Sequence, residues 1–152
     1  MQTRRDMMKH SALVAGLLAA ALPLSAQAQA AFNRAAFDAK SMDEMLKALG
    51  LGKPTESKEV TLTGPDIAEN GAVVPLGVAS TAAGVKRLLL LVEKNPNILA
   101  ASFDVSDAVE ASMSTRVKMG QTSNVFAVAI TGDNKVLFAQ KEVKVTLGGC
   151  GG

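Results

Sequence analysis

The pattern of apolar and polar positions divides the chain into three textures. Residues 12–24 form a short, nearly unbroken apolar run. Around residues 41–49 the apolar positions Met42, Met45, Leu46 and Leu49 recur at helical spacing. From residue 56 onward, short runs of β type alternate with turns, and this continues to Leu147.

The helix has its own start and stop. Ser41-Met42-Asp43-Glu44 is a capping box, in which a hydroxyl and a carboxylate satisfy amides of the first turn. Gly50 ends it, and Gly52-Lys53-Pro54 prevents continuation. Gly50-x-Gly52-Lys53 also has a faint look of a phosphate loop. It lacks the remaining glycine and the Ser/Thr, and no strand leads into it, so a helix stop is the better reading.

Strands are predicted over residues 59–63, 73–80, 86–93, 99–105, 111–119, 124–131, 135–139 and 142–147. The Leu88-Leu89-Leu90-Leu91-Val92 run predicts a strand covered on both faces, by core or by a partner. Residues 111–119 have a period of two: Met113, Thr115, Val117 and Met119 on one face, Ser112, Ser114, Arg116 and Lys118 on the other. Pro65-Asp66-Ile67-Ala68-Glu69-Asn70-Gly71 reads as turn and loop, and Asn95-Pro96-Asn97 as a break. Gly132-Asp133-Asn134 is hairpin chemistry. Val143, Val145 and Leu147 share a side, but the phase slips near Gln140-Lys141, which predicts a bulge or bend there.

These elements predict an all-β chain, an immunoglobulin-like β-sandwich of about seven strands with a short N-terminal helix. The expectation rests on strand count, because the hallmark disulfide and tryptophan are absent. The predicted segments are a leader (1–30), helix and linker (31–57), sandwich (58–147) and a flexible carboxyl-terminal arm (148–152).

The leader alters the charge picture. A basic start with Arg4, Arg5 and Lys9, the apolar run, and Ser25-Ala26-Gln27-Ala28-Gln29-Ala30 make a secretory signal peptide, and cleavage fits after Ala28 or after Ala30. The run is short for a membrane span, although an uncleaved anchor is the alternative. The Arg4-Arg5 pair points to the twin-arginine route and a periplasmic location. Residues 1–30 hold three of the sixteen Lys and Arg, one of the fourteen Asp and Glu, and the sole histidine, His10. The remainder is balanced at thirteen of each sign, with no membrane span. It has five Phe, no Trp and no Tyr. No basic stripe with interleaved aromatics exists, which removes nucleic-acid binding.

Without histidine, the exported chain has no Ser-His-Asp triad, Cys-His pair or histidine metal site. One cysteine makes neither a structural zinc site nor a CxxC pair. Asp104, Asp107 and Glu110 are close in sequence but match no EF-hand loop, so a solvated loop is expected. Met113 and Met119 lie on the apolar strand face, where core packing is favoured over copper. No cofactor and no metal are expected.

The remaining chemistry is in Gly148-Gly149-Cys150-Gly151-Gly152. Four of the thirteen glycines surround the sole cysteine. Such a segment is thin and conformationally free. It follows the last strand directly, so the thiol stands out about 10 Å at most from Leu147. A lone cysteine in an oxidising compartment implies a reactive thiol or an intermolecular bond. No cation adjoins Cys150 in sequence and no helix starts there, so its thiol is expected near the free value of about 8.5. That suits a carrier activated inside other proteins' sites.

The pentapeptide, the preceding Glu142-Val143-Lys144-Val145-Thr146-Leu147, Asn124-Val125-Phe126-Ala127-Val128-Ala129, Pro65–Gly71, Asn95-Pro96-Asn97 and the Arg4-Arg5 leader together resemble the SoxY family. Its members are the cysteine-bearing subunits of the SoxYZ sulfur carrier of thiosulfate oxidation. The resemblance implies that Cys150 is the covalent attachment site for sulfur intermediates, with Gly148, Gly149, Gly151 and Gly152 as its arm. It implies a SoxZ-like β-sandwich partner. It also implies a SoxAX-like c-type cytochrome that attaches thiosulfate, a SoxB-like hydrolase that releases sulfate and, where present, a SoxCD-like sulfane dehydrogenase. The chain itself would be a covalent substrate carrier rather than an enzyme. Two other readings compete: a Gly-Gly thiocarboxylate-type sulfur carrier, and a structural module dimerising through a Cys150 disulfide.

Overall fold

The computed structural model describes residues 33–146. Two short helices come first, α1 (Arg34–Asp38) and α2 (Met42–Ala48). Nine strands follow: β1 (Thr55–Glu56), β2 (Val60–Thr63), β3 (Ile67–Ala68), β4 (Val74–Ser80), β5 (Val85–Val92), β6 (Leu99–Asp104), β7 (Ser112–Val117), β8 (Ser123–Thr131) and β9 (Val136–Val145). They form two sheets. The larger has the order β1-β9-β8-β5-β6, with β3 also paired to β9; the smaller is β2-β4-β7. Pairing is antiparallel except that β1 and β3 run parallel to β9. The result is an immunoglobulin-like β-sandwich with helices at its N-terminal side.

The predicted helix is α2, and its ends are built as its residues dictate. Ser41 has an extended backbone, and its Oγ accepts from the Glu44 amide at 3.2 Å. The Glu44 carboxylate accepts from the Lys40 amide at 2.9 Å, one residue earlier than in the standard box. At the other end Gly50 has φ +69°. Its amide donates to Lys47 O, and the Leu51 amide donates to Leu46 O at 2.8 Å. This is the Schellman pair, which requires a left-handed residue at Gly50. Helix α1 lies in a stretch read as linker. Five residues are too few for a periodic signal.

The apolar run of β5 explains the layering. Leu88, Leu90 and Val92 face the smaller sheet and pack with Val74, Leu76, Val78, Val117, Met119, Val125 and Val143. Leu89 and Leu91 face the other way and pack with Met45, Leu46, Ile98, Val128 and Val136. Of the two covers open to that run, the structure selects core on both sides. The smaller sheet covers one face and α2 the other. Burial of this many aliphatic side chains, at roughly 25 cal/mol per Å², is the main favourable term for the fold.

Three expectations change. The slip near Gln140-Lys141 is not a bulge. Residues 136–145 form one strand, with an unbroken register against β8 from Ile130↔Val136 to Ser123↔Val143. The misreading has a physical cause. Val136 and Phe138 pack on the helix side, while Leu137 and Ala139 pack between the sheets, so the first half of β9 is apolar on both faces. Past Gln140 only the inter-sheet face remains covered, and alternation becomes visible. The irregularities fall instead on β5, between Leu90 and Leu91 against β6 and between Val85 and Arg87 against β8. Finally, β1 and β3 occupy stretches read as linker and turn. They are two-residue strands held by their pairing with β9, so their own sequence carries no alternation to detect.

Leu90→Ala is expected to lower unfolding free energy by about 2–5 kcal/mol, through loss of burial plus the cavity left behind. Leu89→Ala should cost a similar amount if α2 melts together with the sandwich. Denaturant unfolding monitored by circular dichroism gives both values, and a negligible loss in Leu89→Ala would show that the helix side is not part of the cooperative unit.

Candidate functional site

The sequence-predicted site residues Cys150, Gly148, Gly149, Gly151 and Gly152 lie outside the described residues, as do Arg4 and Arg5 of the leader. What the structure places is the base from which the cysteine segment departs, the end of β9.

That end is held on every side. On one edge β8 pairs with it up to Ser123↔Val143. On the other, β3 pairs in parallel at Ile67↔Lys144 and Ala68↔Val145. The Lys144 amide donates to Asp66 O at 2.9 Å and the Thr146 amide to Ala68 O at 3.1 Å. The Val145 amide donates to Thr122 Oγ1 at 3.0 Å. Backbone hydrogen bonding therefore continues to Thr146, four residues before Cys150.

Between β1 and β3 the outer edge of β9 is closed by a side chain. Lys141 has the same strand parity as Ala139 and Val143, an inward position. Its ammonium donates to Gly64 O at 2.8 Å and pairs with Asp66 Oδ1 at 2.7 Å. The hydrogen bond from Lys141, reinforced by its charge, lowers the pKa of Asp66 from the ordinary carboxylate value. Asp66 is exposed, so solvent screens the pair and its function is to fix the Pro65–Ala68 segment against β9.

The turn read at Asn70-Gly71 completes the base. Asn70 Oδ1 accepts from the Ala72 amide at 2.9 Å, an Asx turn. Gly71 O accepts from the Met119 amide at 2.7 Å. A Cβ on Gly71 would collide with Met119 O and stand 2.7 Å from Val145 Cγ1, so only glycine permits this approach. On the far side Asn95 Nδ2 donates to Lys118 O at 2.8 Å. The Lys94 amide donates to Ser123 Oγ at 3.0 Å, and Lys40 Nζ donates to Pro96 O. The stretches 65–71, 95–97 and 142–146, which carry the family resemblance, thus meet at one end of the sandwich.

Sequence reasoning missed Lys141, Asp66, Gly71 and Thr122 as parts of this base. A signal was present: a lysine at an inward strand position, read as a slip of phase. The other candidates are accounted for elsewhere. Asp104 pairs with Arg87 and Asp107 with Lys86, each at 2.6 Å. Met119 is in the inter-sheet core and Met113 packs against it. Among the described residues no group of three His, Cys, Asp or Glu is arranged to hold a metal ion, and no helix is long and apolar enough to cross a membrane.

Comparison with known proteins gives a consistent family. The model described as "Sulfur oxidation protein SoxY" matches residues 46–150, a span that includes Cys150. Among solved structures, the sulfur carrier protein SoxY from Chlorobium limicola f thiosulfatophilum is 34% identical with a TM-score of 0.62, covering 69% of this chain and 94% of that one. A superoxide reductase (neelaredoxin) from Ignicoccus hospitalis is 14% identical with a TM-score of 0.51, covering 57% of this chain and 80% of that one. A putative superoxide reductase from Thermotoga maritima is 10% identical, with a TM-score of 0.51 and coverage of 64% and 96%. At those identities the likeness is one of fold alone. No curated protein matches the sequence.

The pH dependence of the base follows from Asp66. Its pKa is lowered from 3.8 by the Lys141 hydrogen bond, so the stabilisation is complete above that value and is lost as pH falls through the lowered one. The Lys144 and Thr146 amides should therefore lose hydrogen-exchange protection in that acid range, and Asp66→Asn should lose this pH dependence. Protection that is the same in both proteins at every pH would refute the assignment. Separately, Gly71→Ala should cost about 1–3 kcal/mol in thermal unfolding, because backbone must yield to the new methyl group.

Proposed function

From a chain that belongs to the SoxY family, we propose a periplasmic sulfur carrier that holds thiosulfate-derived intermediates covalently on Cys150. One observation carries the reading: the family match runs through residue 150, and Cys150 is the only cysteine in the sequence. The Chlorobium relative is itself a sulfur carrier protein.

The chemistry needs partners, because an unassisted thiol near its free pKa is only a few per cent thiolate at neutral pH. A c-type cytochrome partner joins thiosulfate to the thiolate and takes two electrons, giving a cysteine S-thiosulfonate. A hydrolase partner adds water, releases sulfate and leaves a persulfide. Where a sulfane dehydrogenase partner is present, it oxidises the remaining sulfur, and a second hydrolysis restores the thiol. A SoxZ-like subunit completes the carrier. The chain's own tasks are attachment and presentation.

The residues divide these tasks. The Gly148-Gly149-Cys150-Gly151-Gly152 segment enters narrow pockets because it has no side chain other than the thiol. The end of β9 gives that segment a fixed origin, supported by the bonds at Lys144, Val145 and Thr146. The leader, residues 1–30 with Arg4 and Arg5, exports the chain by the twin-arginine route. Residues 31–57 are helix and linker apart from β1, which joins the sheet; 58–147 are the sandwich and 148–152 the arm.

Intact-mass spectrometry after exposure to thiosulfate and the partner enzymes tests the reading. The wild type should gain the mass of the sulfur adduct on Cys150, and Cys150→Ser should gain none. Mass on the Gly152 carboxyl instead would favour a thiocarboxylate carrier. Gly149→Val should fold normally and slow partner turnover by roughly tenfold or more, since misplacing a reacting group by about 1 Å costs rates of that order. Unchanged turnover in Gly149→Val would remove the narrow-arm argument.

A further inference from the structure

The cations of the sandwich divide into paired and unpaired ones at both ends, Lys53 before β1 and Lys58 before β2 having no ion pair among the described residues. At the end opposite Thr146, Lys86 pairs with Asp107, Arg87 with Asp104 and Lys135 with Asp133. At the Thr146 end, Lys141 pairs with Asp66. Among the described residues Lys94, Arg116, Lys118 and Lys144 have no carboxylate within 4 Å of their charged nitrogens. Of the carboxylates near this end, Glu93 already accepts from the Asn124 side-chain amide at 3.0 Å, and Glu69 has no ion pair among the described residues.

Two of the unpaired cations share a cleft. Arg116 and Lys118 are two residues apart on and just after β7, on its outward side. They line a cleft of about 360 Å³ with Asn95, Asn97, Leu99 and Ala100, and no Asp or Glu lines it. The cleft lies between the free edges of the two sheets, since β6 and β7 are each the last strand of their sheet. Its far wall is braced rather than loose: Asn95 Nδ2 holds Lys118 O, and Asn97 Oδ1 accepts from Lys40 Nζ at 3.1 Å. That acceptance turns the Asn97 carbonyl toward Lys40 and leaves its NH₂ as the group with donors to spare. Residues bearing a guanidinium, an ammonium and a carboxamide donor line one cleft without a carboxylate, a set that matches a tetrahedral oxyanion.

We propose that this cleft binds a sulfur oxyanion, and that its ligand is the terminal sulfonate of cargo carried on Cys150. The second part rests on the carrier reading above. Cleft and tether share one end of the sandwich: Gly71 is flanked by Met119 O and Val145 Cγ1, so the residue following Lys118 abuts the end of β9. Cys150 is four residues beyond Thr146, a span of at most about 14 Å. A sulfonate docked here is shielded between visits to partner sites. A persulfide or free thiol, lacking the sulfonate oxygens, gains no such contact, so the cleft distinguishes loaded from unloaded carrier.

The test uses the ¹⁵N-labelled full chain and two probes. Sodium sulfate, titrated against sodium chloride of equal ionic strength, should shift the Asn97 side-chain amide and Arg116 Nε resonances saturably. In Arg116→Gln/Lys118→Gln the apparent affinity should fall roughly tenfold or more. Next, Cys150 is labelled with 2-sulfonatoethyl methanethiosulfonate. The thiolate displaces methanesulfinate and leaves a disulfide-linked ethylsulfonate. The matching trimethylammonium reagent leaves a cation on the same linker. The anionic label should move the same resonances without added sulfate, and the cationic label should not. No sulfate-specific shift, or an equal shift in the double variant, overturns the cleft. A response to sulfate but none to the tethered sulfonate overturns the cargo as its ligand. Failure of the carrier reading appears elsewhere, as absence of a thiosulfate adduct by intact mass, and leaves the sulfate result unaffected.

Discussion

The structure depends on the need to satisfy both edges of β9. A strand at the edge of a sheet exposes a row of unpaired amides and carbonyls. Here β8 takes one side along most of the strand. The other side is shared by three pieces of chain distant in sequence: β1 at the start, Lys141 reaching Gly64 and Asp66 in the middle, and β3 at the end. This patchwork turns the last strand from an edge into an interior strand. It is also why the segments around residues 55 and 67, with no strand character of their own, become strands.

The same constraint determined how much could be read from sequence. The seven strands of four or more residues all leave a trace, β9 as two shorter runs, because each covers enough pleat for a period of two or an unbroken apolar run to show. The helix is visible because its cap and stop are local chemistry at Ser41, Glu44 and Gly50. What was illegible is the tertiary part. The Phe138 side chain gains its cover from the helix side, with the Phe126 ring centroid 6.2 Å away, and nothing in the sequence near 138 announces that layer. Lys141 looked like a break in phase because its partners, Gly64 and Asp66, are distant in sequence. For the candidate site the position is reversed: Cys150 is a candidate from composition and resemblance alone and lies outside the described residues, whereas the strand end from which its segment departs emerges only from the folded chain.

Two of the remaining free edges are managed differently. β6 and β7 end their sheets without partners among the described residues. β6 is short, is irregular opposite Leu90 and Leu91, and ends in Asp104. β7 places Arg116 near its end, with Lys118 just beyond. Short, interrupted edges carrying charge resist adding another strand. Arg116 and Lys118, which protect the β7 edge, are also the residues that line the cleft, so protection against aggregation and the proposed affinity for an anion need no separate residues.

In the carrier proposed above, a fixed base also sets how a group tethered to Cys150 meets the protein's own surface. A group held within about 14 Å of Thr146 samples a small volume, so any binding surface inside that volume meets it at an effective concentration in the millimolar range or above. A weak surface site is then well occupied by tethered cargo while remaining nearly empty of the same ion in dilute solution. Were the end of β9 to fray, the tether would lengthen residue by residue and the advantage would fall. Ordering Lys144, Val145 and Thr146 through Asp66, Ala68 and Thr122 keeps the origin of the tether where the sandwich ends. On the proposed carrier reading, stability at that one strand end and selectivity for what hangs from it therefore have a common physical cause.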